Sequence, residues 1–433
     1  MNKSEKTNNR LINYIFIFSY ITILVGFYLN EDTLGGAKGD YLYHLNISNK
    51  FSTNFVETWN GFGFGETGLG TRNSPIFWII ISIFNNFITQ DFTRILNSTV
   101  SLLISIFFFK CLCLKFKKID KKILAIISCS IIFLSPTIRS LSIWPYSLIW
   151  GLFLFVISMY NYLQFTEIKN NNKKIFNCFN SIFFLSMSSY IYPSFAVFSI
   201  YYVINFFKYF KLSNKFIIIL ILNFIIAIPA IYFIFSKGIY FFTHQGITLD
   251  KSTSFNLASK FAIISSILLF FLIPVLDFKE TLKNFKNKIN FKNTFLFILL
   301  TLIIVIFFDY PYFESGGFGG GFFHKISNLI FGNNLLLYLC FYIFLNIYFS
   351  NFKNSFNNYL IYITLILFNL QFTIYNKYFD PLLLILIFLI FEFDIEKHIF
   401  KNKNQLIKFF SILSIYLLMG LFKGNIFTTI NAP

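Results

Sequence analysis

The stretch PIFWIIISIFNNFI, residues 75–88, decides how the chain is threaded, because it is strongly apolar and yet only 14 residues long. A helix that crosses the hydrocarbon layer of a bilayer needs about 17–25 residues. The next apolar run, ILNSTVSLLISIFFF (95–109), leads straight into the basic cluster KCLCLKFKKIDKK (110–122). If both runs crossed, that cluster and every later lysine cluster would face outward, against the rule that keeps Lys and Arg on the cytoplasmic side. If 75–88 instead lies flat at the outer interface, as an amphipathic or re-entrant element, the charge pattern is consistent along the whole chain.

Working outward from that choice, apolar runs separated by short polar breaks recur over all 433 residues. The chain is 56% hydrophobic and 12% charged, whereas soluble domains carry roughly 25% charged residues. The expected fold is an all-α polytopic membrane protein with about 13 transmembrane helices. The expected crossings are 11–30, 93–110, 122–136, 146–165, 175–191, 194–208, 216–236, 260–276, 293–309, 334–350, 359–375, 381–394 and 407–423. One integral membrane domain is expected over 1–433, with no separate soluble domain. Residues 31–92 form its first outer loop and carry juxtamembrane helices. The basic tail with Lys3, Lys6 and Arg10, followed by an apolar run with no nearby cleavage site, reads as an uncleaved signal-anchor. The expected location is a multi-pass inner (plasma) membrane protein with a cytoplasmic N-terminus.

The net charge of +18 first suggests nucleic acid. Its distribution excludes that class: 25 of the 36 Lys and Arg fall on the cytoplasmic side of this threading, and 11 outside. Ten of the 18 acids lie outside, so the inner face is basic and the outer face nearly neutral. The five cysteines lie in or beside apolar runs and form no CxxC pair, so no disulfide is expected.

No acid falls in the middle of a crossing, which argues against an ion-coupled transporter. The chemically rich positions lie at the outer boundary instead. Pro75, Pro145, Pro193 and Pro381 mark helix starts there, where free N–H groups can hold an anion. Two Gly-rich loops, GFGFGETGLG (61–70) and SGGFGGGFF (315–323), read as lids or as plain loops. Asp40 stands out in GGAKGDYLYHL (35–45), with His44 one turn later. The spacing puts Tyr41, Leu45 and Ser48 on one helical face and Asp40 with His44 on another. Three readings stay open for Asp40: a solvated helix-start carboxylate, a catalytic base, or a metal ligand together with His44 and Glu31 or Asp32. No cofactor is required, and a divalent metal is compatible with those side chains.

Residues 31–122 resemble the first third of the GT-C-fold membrane glycosyltransferases, the group that includes protein O-mannosyltransferases and lipid A aminoarabinose transferases. The resemblance rests on GDYLYHLNISNKF, on TRNSPIFWIIISIF before an interfacial helix, on QDFTRILNSTVSLLI, and on NKYFDPLLLILIF (376–388) late in the chain. It departs from the family pattern in three ways: Asp40 is followed by Tyr41 rather than a second acid, Pro75 stands alone rather than in a pair, and no soluble C-terminal domain is expected. The resemblance implies Asp40 as general base and Arg72 as a contact to the phosphate of a polyprenyl-phosphate-linked sugar. It also implies a secondary acid at Asp91 and a phosphate-binding base at Lys377. Outside the resemblance, Arg139, His324 and Lys325 are outward cations that fit the same phosphate clamp. The implied activity is inverting sugar transfer to a lipid or glycan acceptor. The partners are then membrane lipids and those substrates, not nucleic acid. The alternatives are an O-antigen-type polymerase or ligase, and a lipid or polysaccharide transporter.

Overall fold

The structure, a computed structural model, describes residues 3–62, 74–168, 171–237, 256–312, 319–369 and 373–430. These residues are helical almost throughout; the only β pairings among them are the isolated bridges Gly319–Ile374 and Phe352–Phe393. Five helices are long and apolar enough to cross a membrane, or seven if two bent pairs each count as one. The chain is thus an all-α protein of membrane type. The chain forms two compact units, Met1–Leu249 with Ile415–Pro433, and Asp250–Ser414.

The first unit contains α1 (Lys3–Tyr28), α2 (Ala37–Thr53), α3 (Phe55–Gly61), α4 (Pro75–Phe87), α5 (Gln90–Lys115), α6 (Lys121–Phe133), α7 (Pro136–Ile143), α8 (Ser147–Glu167), α9 (Asn171–Ile191), α10 (Phe198–Phe210) and α11 (Asn214–Lys237). Side-chain contacts fix the direction of each long helix. Tyr20 pairs with Ser98 and Phe16 with Phe109, so α1 and α5 are antiparallel. Trp150 Nε1 donates to Asn97 and Phe153 packs on Phe107, which makes α8 parallel to α5. The Ser158 hydroxyl donates to Ser181 O at 2.6 Å and that of Ser188 to Gly151 O at 2.7 Å, so α9 runs back. Phe155 meets Phe198, and Tyr162 stacks on Tyr202 at 4.9 Å, taking α10 forward again. Small side chains at these crossings let the backbones approach, as in other membrane bundles. The breaks after α5, α8 and α10, where the lysines cluster, therefore gather at one end. Glu31, Asp40, Asp91 and Arg139 lie at the other.

Within this frame α4 does not cross. Its 13 residues would reach about 20 Å at 1.5 Å per residue. Near its start Phe77 packs on Trp150, and Trp78 stacks on His44. At its finish Asn85 accepts from the Thr93 hydroxyl at 3.0 Å, in the first turn of α5. Both ends of α4 thus touch the acid-bearing end of the bundle. The local sequence dictates this length. Ser74 caps the helix ahead of Pro75, where a missing N–H is harmless. Ile88 is extended, and the Thr89 hydroxyl then accepts from Phe92 N to begin α5. One face of α4 (Phe77, Trp78, Ile81) is buried against α2 and Phe87 is exposed, as befits an amphipathic surface helix.

The second unit holds α12 (Leu257–Leu272), α13 (Phe278–Lys288), α14 (Phe291–Phe307), α15 (Gly321–Phe331), α16 (Leu335–Asn351), α17 (Phe356–Phe368), α18 (Leu382–Leu389) and the start of α19 (Lys403–Ile430). Its helices also alternate in direction. Phe297 pairs with Phe349 at one level and Phe308 with Tyr338 at another, making α14 and α16 antiparallel. The core is apolar, with α18 buried along its whole length. Short α18 is the one place where an expected crossing, 381–394, is helical over only eight residues. All five cysteines are free thiols.

Candidate functional site

At the acid-bearing end of the first unit, three acids follow α1: Glu31, Asp32 and Asp40. The Glu31 carboxylate is gripped by Arg139 through two parallel bonds, Nε to Oε1 and Nη2 to Oε2, both 2.6 Å. Arg139 also donates to the hydroxyl and the carbonyl of Thr22, each at 3.1 Å, and Trp144 Nε1 donates to Glu31 O. The pair is buried, with side chains 9% and 7% exposed. Gly26 faces it so closely that an added Cβ would overlap the carboxylate. Asp32 serves as the cap of α2, accepting from Gly35, Gly36 and Lys38 backbone N–H groups and from the Ser140 hydroxyl. This supplies the acceptor that a glycine N-cap lacks.

Asp40 lies half-buried in the first turn of α2. A carboxylate there is favoured by the positive end of the helix. The structure moves His44 off the face it was expected to share with Asp40. At about 100° per residue, His44 falls between Asp40 and Tyr41, and it turns inward with Tyr41, Leu45 and Ser48. Its ring lies flat on Trp78, with centroids 4.3 Å apart, and edge-on to Tyr146. Of the other acids in the metal reading, Glu31 is held by Arg139 and Asp32 by the backbone at the start of α2. Among the described residues no three His, Cys, Asp or Glu side chains cluster as a metal site would require.

Beside Asp40's helix stands a cation that the motif reading passed over. Arg94 is buried, with its guanidinium 4.0 Å from the Trp144 ring and 4.7 Å from Phe27. Its Nε donates to Ile143 O, and its Nη1 pairs with the largely exposed Asp91 at 3.2 Å. Lys38 sits 5.6 Å over the same Trp144 ring. Tyr41 packs on Trp144 from α2; burial raises its hydroxyl above the ordinary value, while nearby Arg94 draws it back and Asp91 pushes it up. Two buried donors here, the Tyr41 hydroxyl and Trp78 Nε1, have no acceptor. The signal for Arg94 was present in QDFTR, since an arginine on the first turn of an apolar helix needs its partners nearby.

Arg139 is thus a closed, structural cation rather than an open one. Arg72 and the first Gly-rich loop beyond Phe62 lie outside the described residues. Asp91 is placed beside Arg94 and α2.

In the second unit, His324 is buried on α15, 1% exposed, among Phe308, Tyr310 and Tyr312. Neither ring nitrogen has a hydrogen-bond partner. Gly319, Gly320 and Gly321 all have positive φ, 84°, 86° and 79°, which only glycine adopts readily. Gly320 N donates to Ile374 O at 2.8 Å, and a Cβ on Gly320 would strike the His324 ring. This part of the second Gly-rich segment is therefore a tight packed turn, not a lid; its remainder, 315–318, lies outside the described residues. Ile374 N donates to the Tyr310 hydroxyl, and Lys377 lies 5.5 Å over Tyr375, so His324 and Lys377 belong to one neighbourhood. Lys325 is half-buried.

Burial, with Lys325 alongside, lowers the His324 imidazole from 6.5 to about 4. The ring is then neutral at ordinary pH, which corrects its expected role as a phosphate-binding cation. Below about pH 6.5 the unfolded chain takes up a proton that the folded chain refuses. Stability should therefore fall between pH 6.5 and 4, by on the order of 3 kcal/mol in all. Thermal unfolding at pH 7 and pH 4.5 checks this: the drop should shrink in His324→Phe, and equal drops would remove His324 as its source.

No protein family, curated protein or solved structure matches the chain.

Proposed function

We propose that the protein is a multi-pass membrane glycosyltransferase of the GT-C type, moving a sugar from a polyprenyl-phosphate donor to a lipid-linked glycan or another acceptor. The reading takes thirteen crossings, with the N-terminus cytoplasmic in an inner (plasma) membrane. The observation that carries it is the return of α4 to its starting end, which keeps Asp40, Asp91 and Arg94 at the end opposite the lysines. Asp40 lies half-buried in the first turn of the juxtamembrane helix α2, at that same end.

In this mechanism the acceptor oxygen attacks the anomeric carbon and gives its proton to Asp40. The bond to the phosphate oxygen breaks on the opposite face, and the polyprenyl phosphate leaves with the electron pair. One displacement inverts the anomeric centre and needs no second carboxylate. Cations stabilise the charge that grows on the leaving phosphate. Arg72 is proposed for that task, with Asp91 holding Arg94 in place. Arg139, committed to Glu31, is left out.

Two measurements test the reading. Single cysteines placed at exposed positions 38 and 118 of a cysteine-free chain should react with an impermeant reagent from opposite sides of the membrane; labelling from the same side would end the topology. Lipid-linked and surface glycans from cells with and without the gene should differ by one sugar. A change in polymer length would point instead to a polymerase or ligase, and lipid-linked sugar trapped on the inner face to a transporter.

A further inference from the structure

The segment FKETLKNFKNK, residues 278–288, forms α13, a helix on the lysine-bearing side of the second unit. Its ends are specified locally. The Asp277 carboxylate accepts from Lys279 N, and Asp277 N is held by the His398 Nδ1 at 3.1 Å. At the other end Ile289 turns extended, and Asn290 caps the following helix. The break between α13 and α14 bends the chain by 106°. Along α14, Phe295, Leu299, Leu302 and Ile306 are exposed apolar side chains, as in a helix that crosses lipid. A crossing α14 lays α13 along the plane of the membrane surface.

The sequence of α13 then divides its circumference into three strips. Thr281 is buried, Asn284 donates to Asn351 at 3.1 Å, and Glu280 turns toward Lys401 at 3.9 Å, so this strip faces the protein. Phe278, Leu282 and Phe285, spaced i, i+4 and i+7, are 56%, 62% and 39% exposed, and make a second, largely open strip. Lys279, Lys283 and Lys286 are exposed on the third, next to the apolar strip and away from the protein. The rule that keeps lysines cytoplasmic accounts for their number in this segment. It does not require them to line one side of an in-plane helix, beside an apolar edge. That arrangement lets the rings and Leu282 enter the acyl boundary while the ammonium groups reach the headgroup layer.

We propose that α13 is a docking surface for anionic phospholipid headgroups of the leaflet it lies on, with Lys279, Lys283 and Lys286 as the contacts. The one acid within the helix, Glu280, is drawn to Lys401, so the lipid-facing strip is purely cationic. Lys408, 4.1 Å over the Phe278 ring and donating to Leu276 O, ties the start of that strip to α19. This inference stands whether or not the enzyme reading does.

The test uses the full chain in neutral detergent and counts retained lipids by native mass spectrometry, with phosphatidylglycerol and phosphatidylcholine of the same acyl chains as probes. The wild type should retain phosphatidylglycerol preferentially. The K279Q/K283Q/K286Q variant should lose about tenfold or more of that preference, with an unchanged melting temperature in neutral detergent showing that the fold persists. The matched variant K118Q/K121Q/K122Q should keep the preference. The proposal is overturned if the wild type shows no preference, if the α13 variant retains it, or if the matched variant loses it equally. Full displacement by the same concentration of inorganic phosphate would also overturn it, since the site would then read phosphate rather than a leaflet.

Discussion

Arg139→Ala is expected to destabilise the protein by about 3–5 kcal/mol, the usual result of removing one partner from a buried, hydrogen-bonded ion pair. The loss comes mainly from the carboxylate left behind. Glu31, 7% exposed in the intact pair, would lose the two charge-assisted bonds that Arg139 gives it. The clasp also joins three separated pieces: α1 through Thr22, the turn after it through Glu31, and α7 through Arg139 itself. The double replacement Arg139→Met with Glu31→Leu removes both charges and should recover much of the loss. Gly26→Leu should behave like Arg139→Ala, because its side chain would enter the space of the carboxylate. Denaturant or thermal unfolding in detergent measures all three. A change below about 1 kcal/mol in Arg139→Ala would put the pair among those that contribute little.

That clasp also shows where sequence reasoning reached and where it stopped. The helical, membrane-type character and the brevity of the element at 75–88 were legible, because they depend on one coarse quantity, the length of an apolar run. Residues 75–88 are too short to cross whatever they pack against, and α4 confirms that length. The identity of the site was much less legible. Arg139 and Asp40 look equally outward in a linear reading, and only the fold shows that one is locked to Glu31. His44 went to the wrong face because a one-turn spacing fixes an angle of about 40° from Asp40 but not where the buried arc is centred; Trp78, 34 residues away, decides that. His324 looked like a cation because burial cannot be read from GGGFFHK. The helix α13 was hidden for the opposite reason: it falls in a lysine-rich break between the expected crossings 260–276 and 293–309, and three apolar residues at helical spacing make no apolar run.

The largest functional effect is expected from Asp40→Asn. The substitution keeps the size and one acceptor oxygen, so α2 should stay in place; its cap is Asp32, not Asp40. What it removes is the ability to accept the acceptor's proton as the new bond forms. General-base assistance contributes about 10²–10⁴-fold, and turnover should fall by that factor. The Michaelis constant for the polyprenyl-phosphate sugar should change little, because the donor is held by cations rather than by this acid. A fall in turnover with unchanged donor binding marks an interaction made only in the transition state. Asp32→Asn provides the contrast: it weakens the anchoring of α2 to Gly35, Gly36 and Lys38, so it should lower stability and raise both Michaelis constants before it touches the chemical step. If Asp40→Asn transfers sugar at the wild-type rate, the carboxylate is a solvated helix-start acid. The base must then be sought elsewhere, first at Asp91, whose exposed side chain pairs with Arg94.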